Sequence, residues 1–414
     1  MSRFAQDYYE ENENDELEEL ENTSEETAPR SRIDWLIFIP VVSLMLFGIA
    51  FVYGGSAGQA AAKMGSSSSL VINHAVKVII GIFIIIIFSR IDYNKIRPVS
   101  KTLIFISAIS LVLVLLFGIS QKGAVRWLDL GFITFQPSEL AKFAIVLHFG
   151  SILAARQDEI ESKGSLVPFL FWIILICILI ALQPNFSTMM VVFMISFLIM
   201  FVGNVRPKYL LYMILIGLSL ASIYFVSASY RLNRLKAYLG LGDGEGAIEN
   251  VNYQLRQSLI ALGNGGAVGV GPGQSRQSEL FLPESYGDFI FAVIGEEYGF
   301  IGLTIVLSLY LLIFLRGMVV AKRAKNNFGY FLAVGIVITF AIYVFVNAGV
   351  NTGLLPSTGV PLPFISYGGT ALFMYSAAVG ILLNISSQAE TYGVSLKSAL
   401  FQKNVSSEDD ISDS

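Results

Sequence analysis

The sequence predicts an all-α polytopic membrane protein with about ten transmembrane helices and one long extracytoplasmic loop between spans seven and eight. Three observations carry this. Of the 414 residues, 54% are hydrophobic and only 14% charged, where a soluble domain carries about 25% charge. The apolar residues gather in runs of roughly 20, the length a helix needs to cross the hydrocarbon core. The runs are continuous rather than alternating, which argues against membrane strands.

Ten runs meet the length requirement: 33–54, 68–89, 102–120, 137–155, 166–183, 186–203, 208–228, 288–315, 328–350 and 364–385. Only the turn Gln183-Pro184-Asn185 divides the fifth from the sixth, so that hairpin is tight. Orientation follows from the short loops. Arg90, Lys95, Arg97 and Lys101 follow span two, Arg156 and Lys163 span four, Arg206 and Lys208 span six, and Arg316, Lys322, Arg323 and Lys325 span eight. The alternate loops are poorer, with Lys63 in one and Lys122 and Arg126 in another. The basic loops face the cytoplasm, and both termini join them there.

The stretch 229–287 breaks the short-loop pattern and carries Arg231, Arg234, Lys236, Arg256 and Arg276. Loops of this length cross largely regardless of charge, and a long outer loop with both basic and acidic groups is where extracytoplasmic chemistry is placed. The chain divides into an acidic tail (1–32), a membrane domain (33–386) and a C-terminal tail (387–414). From Asp7 to Glu26 there is no Lys or Arg among many acids, and such a run cannot bury enough apolar surface to fold. The single cysteine, Cys177, lies in an apolar run and reads as a small core residue, neither a disulfide nor a metal site. No cleavable leader pattern is visible.

Asp288 stands at the outer start of span eight, in Phe281-Leu282-Pro283-Glu284-Ser285-Tyr286-Gly287-Asp288-Phe289-Ile290-Phe291. It reads either as a helix cap or as a carboxylate at headgroup depth, able to take a proton from a sugar hydroxyl. Glu296 and Glu297 fall deeper in the same run. Adjacent acids there need partners or water and serve as structural polar glue or as function. The piece 123–131, with Arg126 and Trp127, suits an amphipathic segment in the outer interface. Pro137 suits the first turn of span four. Glu139 and Lys142, three apart, share a helical face. They form either a structural ion pair or a pocket where Lys142 holds a diphosphate. His74 and Lys77, also three apart in a span, read as structural or snorkelling groups. His148 stands alone, without partners for a metal. The glycines of 263–266 and 269–273 lack the Gly-Lys-Ser/Thr ending of a phosphate loop, so they let the outer loop turn closely over the bundle instead.

Five blocks in order resemble the SEDS family (shape, elongation, division and sporulation): RWLDLGFITFQPSELAK at 126–142, QPNFST at 183–188, YQLRQSLIALGNGG at 253–266, GVGPGQSRQSELFLPESYGDFIFAVIGEEYGFIG at 269–302 and NAGVNTGLLPSTGVPLPFISYGGTAL at 347–372. The resemblance implies a glycosyltransferase of the bacterial cytoplasmic (inner) membrane that polymerises lipid II into β-1,4 glycan. It also implies that Asp288 is the essential carboxylate, in a Pro-Glu-x-x-x-Asp-Phe-Ile-Phe motif. Its implied partners are lipid II, a class B penicillin-binding protein that crosslinks the glycan, and other divisome or elongasome proteins; no nucleic acid is expected. The wording of 253–277 is more similar to the FtsW branch, used in cell division, than to the RodA branch. Candidates for substrate binding are Arg126, Glu139, Lys142, Arg231, Arg276, Glu284 and Ser366.

A divalent cation, Mg2+ or Mn2+, is compatible with the resemblance, although the sequence supplies no dedicated metal cage. The chain departs from the family at Asn185, where many members have Asp, at Ser187 in place of Gly, and at Ser285-Tyr286-Gly287 in place of Ala-His-Thr. Two readings from other classes stand beside the enzyme. One is a lipid flippase or transporter using Lys77, Lys142, Glu296 and Glu297. The other is a scaffold recruiting cytoplasmic proteins through the acidic tail and Lys397 and Lys403.

Overall fold

A computed structural model describes residues 33–64, 68–121, 124–131, 134–157, 166–226, 247–283 and 285–389. Its helices are α1 Trp35–Met64, α2 Ser68–Arg90, the single turn α3 Tyr93–Ile96, α4 Val99–Phe117, α5 Pro137–Ala155, α6 Val167–Ala181, α7 Phe186–Val202, α8 Pro207–Val226, α9 Ala247–Gly265, α10 Ile290–Lys322, α11 Asn327–Asn351 and α12 Gly369–Ala389. Among the described residues, seven helices are long and apolar enough to cross a membrane, and three shorter apolar ones, within α6, α7 and α8, lie where spans five to seven were expected. The protein is therefore a multi-pass helical membrane protein. Both tails, 1–32 and 390–414, lie outside the described residues.

The helices sort by burial. α5, α11 and α12 are the most enclosed, whereas α2 and α10 turn much of their surface outward. α11 is the central post, packing on α5, α7 and α10, while α10 also packs on α1 and α9. With no water in the hydrocarbon, every backbone group must be satisfied inside the protein, and exposed Ile, Leu and Phe side chains on α2, α4 and α10 meet lipid rather than water.

Two features depart from the sequence expectation. The described parts of 119–135 form a small antiparallel sheet, β1 Ile119–Gln121, β2 Ala124–Asp129 and β3 Thr134–Phe135, where an amphipathic segment was expected over 123–131 with no strand pairing specified. A ribbon satisfies its backbone by pairing, which hydropathy alone cannot distinguish from an interfacial helix.

The second departure concerns span eight. Expected over 288–315, it runs Ile290–Lys322 and is broken at Gly299, whose φ of 64° no helix contains. The break frees backbone groups, and the glycine-rich stretch after α9 takes them up. Val270 and Gly271 N–H donate to the carbonyls of Glu296 and Glu297, while Phe300 and Ile301 N–H donate to Gly266 and Ala267. Only glycine permits this approach. A Cβ on Gly265 would lie 1.8 Å from the Gly295 carbonyl oxygen, and one on Gly269 2.2 Å from that of Glu297. Glu296 and Glu297 thus precede the break.

Candidate functional site

Asp288 lies at the end of the bundle opposite the Arg- and Lys-rich loops, half-buried, on the loop that leads into α10. Asp288 stands one residue before the cap position of α10, which falls on Phe289. The N–H of Ala292 in the first turn donates to the Phe289 carbonyl at 3.1 Å and to Asn351 Oδ1 at 3.2 Å. The same amide's Nδ2 donates to the Asp288 carbonyl at 3.1 Å, and Asn347 Nδ2 donates to that carbonyl at 2.9 Å and to the Val360 carbonyl at 2.7 Å. Ser258 Oγ donates to the Asn351 carbonyl at 2.8 Å, so α9, α10 and α11 meet on one asparagine.

The rest of the loop is held as firmly. Ser366 Oγ donates to the Gly287 carbonyl and accepts from Leu362 N–H, both at 2.8 Å. Tyr367 N–H donates to the Tyr286 carbonyl at 3.0 Å. Ser285 Oγ donates to the Gly55 carbonyl of α1 at 2.6 Å. Gly359, at φ 70°, brings bare backbone beside the carboxylate: a Cβ there would sit 3.2 Å from Asp288 Oδ2. The backbone of this acid is thus positioned by α1, α11 and the 359–367 loop while its side chain keeps partial access to the surface.

Ser366 acts on Asp288 through backbone. Glu139 and Lys142 form a second centre, buried between α5, α11 and α12. Lys142 Nζ pairs with Glu139 Oε1 at 2.6 Å and donates to the Tyr343 hydroxyl. Beside them is a cavity of about 20 Å³, also lined by Thr339 and Tyr375, with room for about one water. Arg126, on β2, donates to the Pro184 carbonyl and so ties the sheet to the α6–α7 hairpin. Arg276 is exposed, just before the turn Gln277–Phe281. Arg231 and Glu284 lie outside the described residues.

Glu296 accepts from Asn264 Nδ2, Ser275 Oγ and Gln277 N–H, as the polar glue its position suggested. Asn185 caps α7, accepting from Thr188 N–H at 3.4 Å. Among the described residues no three His, Cys, Asp or Glu side chains are placed to hold an ion. Sequence reasoning missed Asn347 and Asn351, although two amides four apart in an apolar span are costly enough to signal a role.

Between α10 and α11 runs an apolar groove of about 300 Å³, lined by residues including Tyr310, Phe314, Val337, Phe345 and Phe364. It ends near Ala348, one residue from Asn347.

A multi-pass helical bundle with a carboxylate on a backbone-anchored loop at the end opposite its basic loops defines the class. Residues 34–391 match the model of the FtsW/RodA/SpoVE family, described as cell cycle proteins, and the chain belongs to that family. It is 36% identical over 364 residues to a probable peptidoglycan glycosyltransferase FtsW of Geobacter metallireducens, covering 86% of this chain and 95% of the relative. It is 37% identical over 372 residues to the stage V sporulation protein E of Bacillus subtilis, covering 88% and 98%. Among solved structures, a chain from a study of how a peptidoglycan synthase complex coordinates polymerization and crosslinking aligns with a TM-score of 0.72 at 25% identity, covering 86% and 98%. The rod shape determining protein RodA of Thermus thermophilus aligns with a TM-score of 0.62 at 25% identity, covering 86% and 97%.

Proposed function

We propose that the protein polymerises lipid II into β-1,4 glycan at the outer face of the bacterial cytoplasmic membrane, with both termini in the cytoplasm. The observation that carries this is the Asp288 loop, whose backbone is fixed from Asn347, Asn351 and Ser366. Relatives named as peptidoglycan glycosyltransferases support the reaction class. The FtsW and sporulation names among them favour septal use over the RodA-like elongation role.

In this mechanism the acceptor's 4-hydroxyl attacks the anomeric carbon of the donor sugar while Asp288 takes its proton. The bond to undecaprenyl diphosphate breaks on the opposite side, converting an α linkage into a β one. The diphosphate leaves ionised, so no general acid is needed, and its charge calls for cations. Lys142 is committed to Glu139 and Tyr343 deep in the bundle, and Arg126 to Pro184. Among the candidates with described side chains, Arg276 is the exposed cation. The neighbouring synthase complex supports a crosslinking transpeptidase of the class B penicillin-binding type as partner.

The test is to purify the chain with its transpeptidase and supply labelled lipid II. Wild type forms glycan and releases undecaprenyl diphosphate. Movement of dye-labelled lipid across vesicles with no glycan formed would favour the flippase reading instead.

A further inference from the structure

Lys77 sits in α2, in a region that should be lipid-facing or apolar, and among the described residues no carboxylate forms an ion pair with it. Its ammonium lies 4.0 Å from the centroid of the Tyr367 ring. A cation over an aromatic face gains about 0.5–2 kcal/mol, less than a charge in a span costs on insertion scales, about 2.5–3.5 kcal/mol. Three residues earlier on the same face, His74 is fully buried, its ring 5.7 Å from the same tyrosine, and neither ring nitrogen has a hydrogen-bond partner. A lone ammonium and an unsatisfied imidazole on one face are short of an acceptor.

What they stand against gives the site its meaning. Tyr367 follows Ser366 and holds the Tyr286 carbonyl through its own N–H, and the Tyr286 ring meets the Tyr367 ring edge-on at 5.9 Å. Tyr286 is two residues before Asp288. Across from Lys77 the chain is Gly369, where a Cβ would meet Lys77 Cε at 3.5 Å, so the lysine stem lies in contact distance of the chain that follows Tyr367.

We propose that Lys77 and His74 form a phosphate subsite beside the Asp288 loop, taking the diphosphate of a polyprenyl-linked lipid. This rests on the polymerase reading for the identity of the lipid. The anion accepts from the ammonium on the side away from the Tyr367 ring, and the buried imidazole gains the acceptor it lacks, directly or through one water. This assigns Lys77 a binding role in place of snorkelling.

The test uses the full chain in neutral phosphatidylcholine nanodiscs and measures binding of labelled polyprenyl diphosphate, of the same polyprenol without phosphate, and of phosphatidylglycerol. Lys77→Gln is expected to weaken polyprenyl diphosphate binding by about tenfold or more, the worth of one charge-assisted hydrogen bond. It leaves the polyprenol unchanged. Lys77→Arg restores binding, which separates lost charge from lost folding. Equal diphosphate affinity for wild type and Lys77→Gln overturns the proposal. So does loss of phosphatidylglycerol binding alone, which would make the site one for bulk headgroups. Because binding is read without turnover, a chain that binds through Lys77 yet makes no glycan sinks the polymerase reading and leaves this subsite standing.

Discussion

Two side-chain amides, 59 and 63 residues away in sequence, fix the backbone of Asp288. That dependence makes a prediction at the residue scale. Asn351→Ala leaves the Asp288 carbonyl with the Asn347 amide and the Ala292 N–H with the Phe289 carbonyl, and each lost bond costs about 0.5–1.5 kcal/mol. The melting temperature in detergent should fall, and glycan synthesis should fall further than stability accounts for. Gly359→Ala separates the two effects. Its φ of 70° strains an L-residue by about 1–2 kcal/mol, and the added methyl crowds Asp288 Oδ2. Activity should drop several-fold with only a modest change in melting. The acid itself was legible because Pro-Glu-x-x-x-Asp-Phe-Ile-Phe can be read in one stretch. The amides were not singled out, because nothing local shows which carbonyl a distant asparagine will meet.

At the scale of elements, the broken α10 and the glycine seam form one unit. Gly265→Ala forces the Gly295 carbonyl aside, and overpacking of this kind costs about 1–3 kcal/mol or more. Gly263→Ala, two residues earlier on the same helix with nothing within 4 Å, should instead stabilise by about 0.5–1 kcal/mol. Thermal unfolding of the pair checks both signs. The glycine run was readable as a close turn over the bundle, and that is what it makes. The break at Gly299 was not, since hydropathy continues through it and an apolar pattern carries no trace of a positive φ. The small sheet escaped because its strands are two to six residues long, too short for an alternating pattern to stand out.

At the scale of the whole molecule, the basic end is tied as carefully as the Asp288 end. Asp34, before α1, accepts from Arg316 Nε near the end of α10 and from Ser386 Oγ of α12, each at 2.8 Å. Tyr93 N–H donates to Asn384 Oδ1 at 2.9 Å, joining the α2–α4 connection to α12. First, eighth and last expected spans therefore meet around one carboxylate. Arg316→Met leaves that buried acid with Ser386 Oγ and the Leu36 N–H as donors but without its cation, and the loss should cost about 1–3 kcal/mol; a lower melting temperature checks it, with Asp34→Asn milder. The membrane fold and the alternation of basic loops were legible because lipid imposes strict length and charge rules. The ties were not, because they join residues about 280 to 350 positions apart.

The central claim is that Asp288 is the base for glycan elongation, and single-turnover formation of the first glycosidic bond at saturating lipid II tests it most directly. The account predicts that Asp288→Asn, folded and still binding lipid II, slows that step by about 10²–10⁴-fold. A rate within a few-fold of wild type would contradict it.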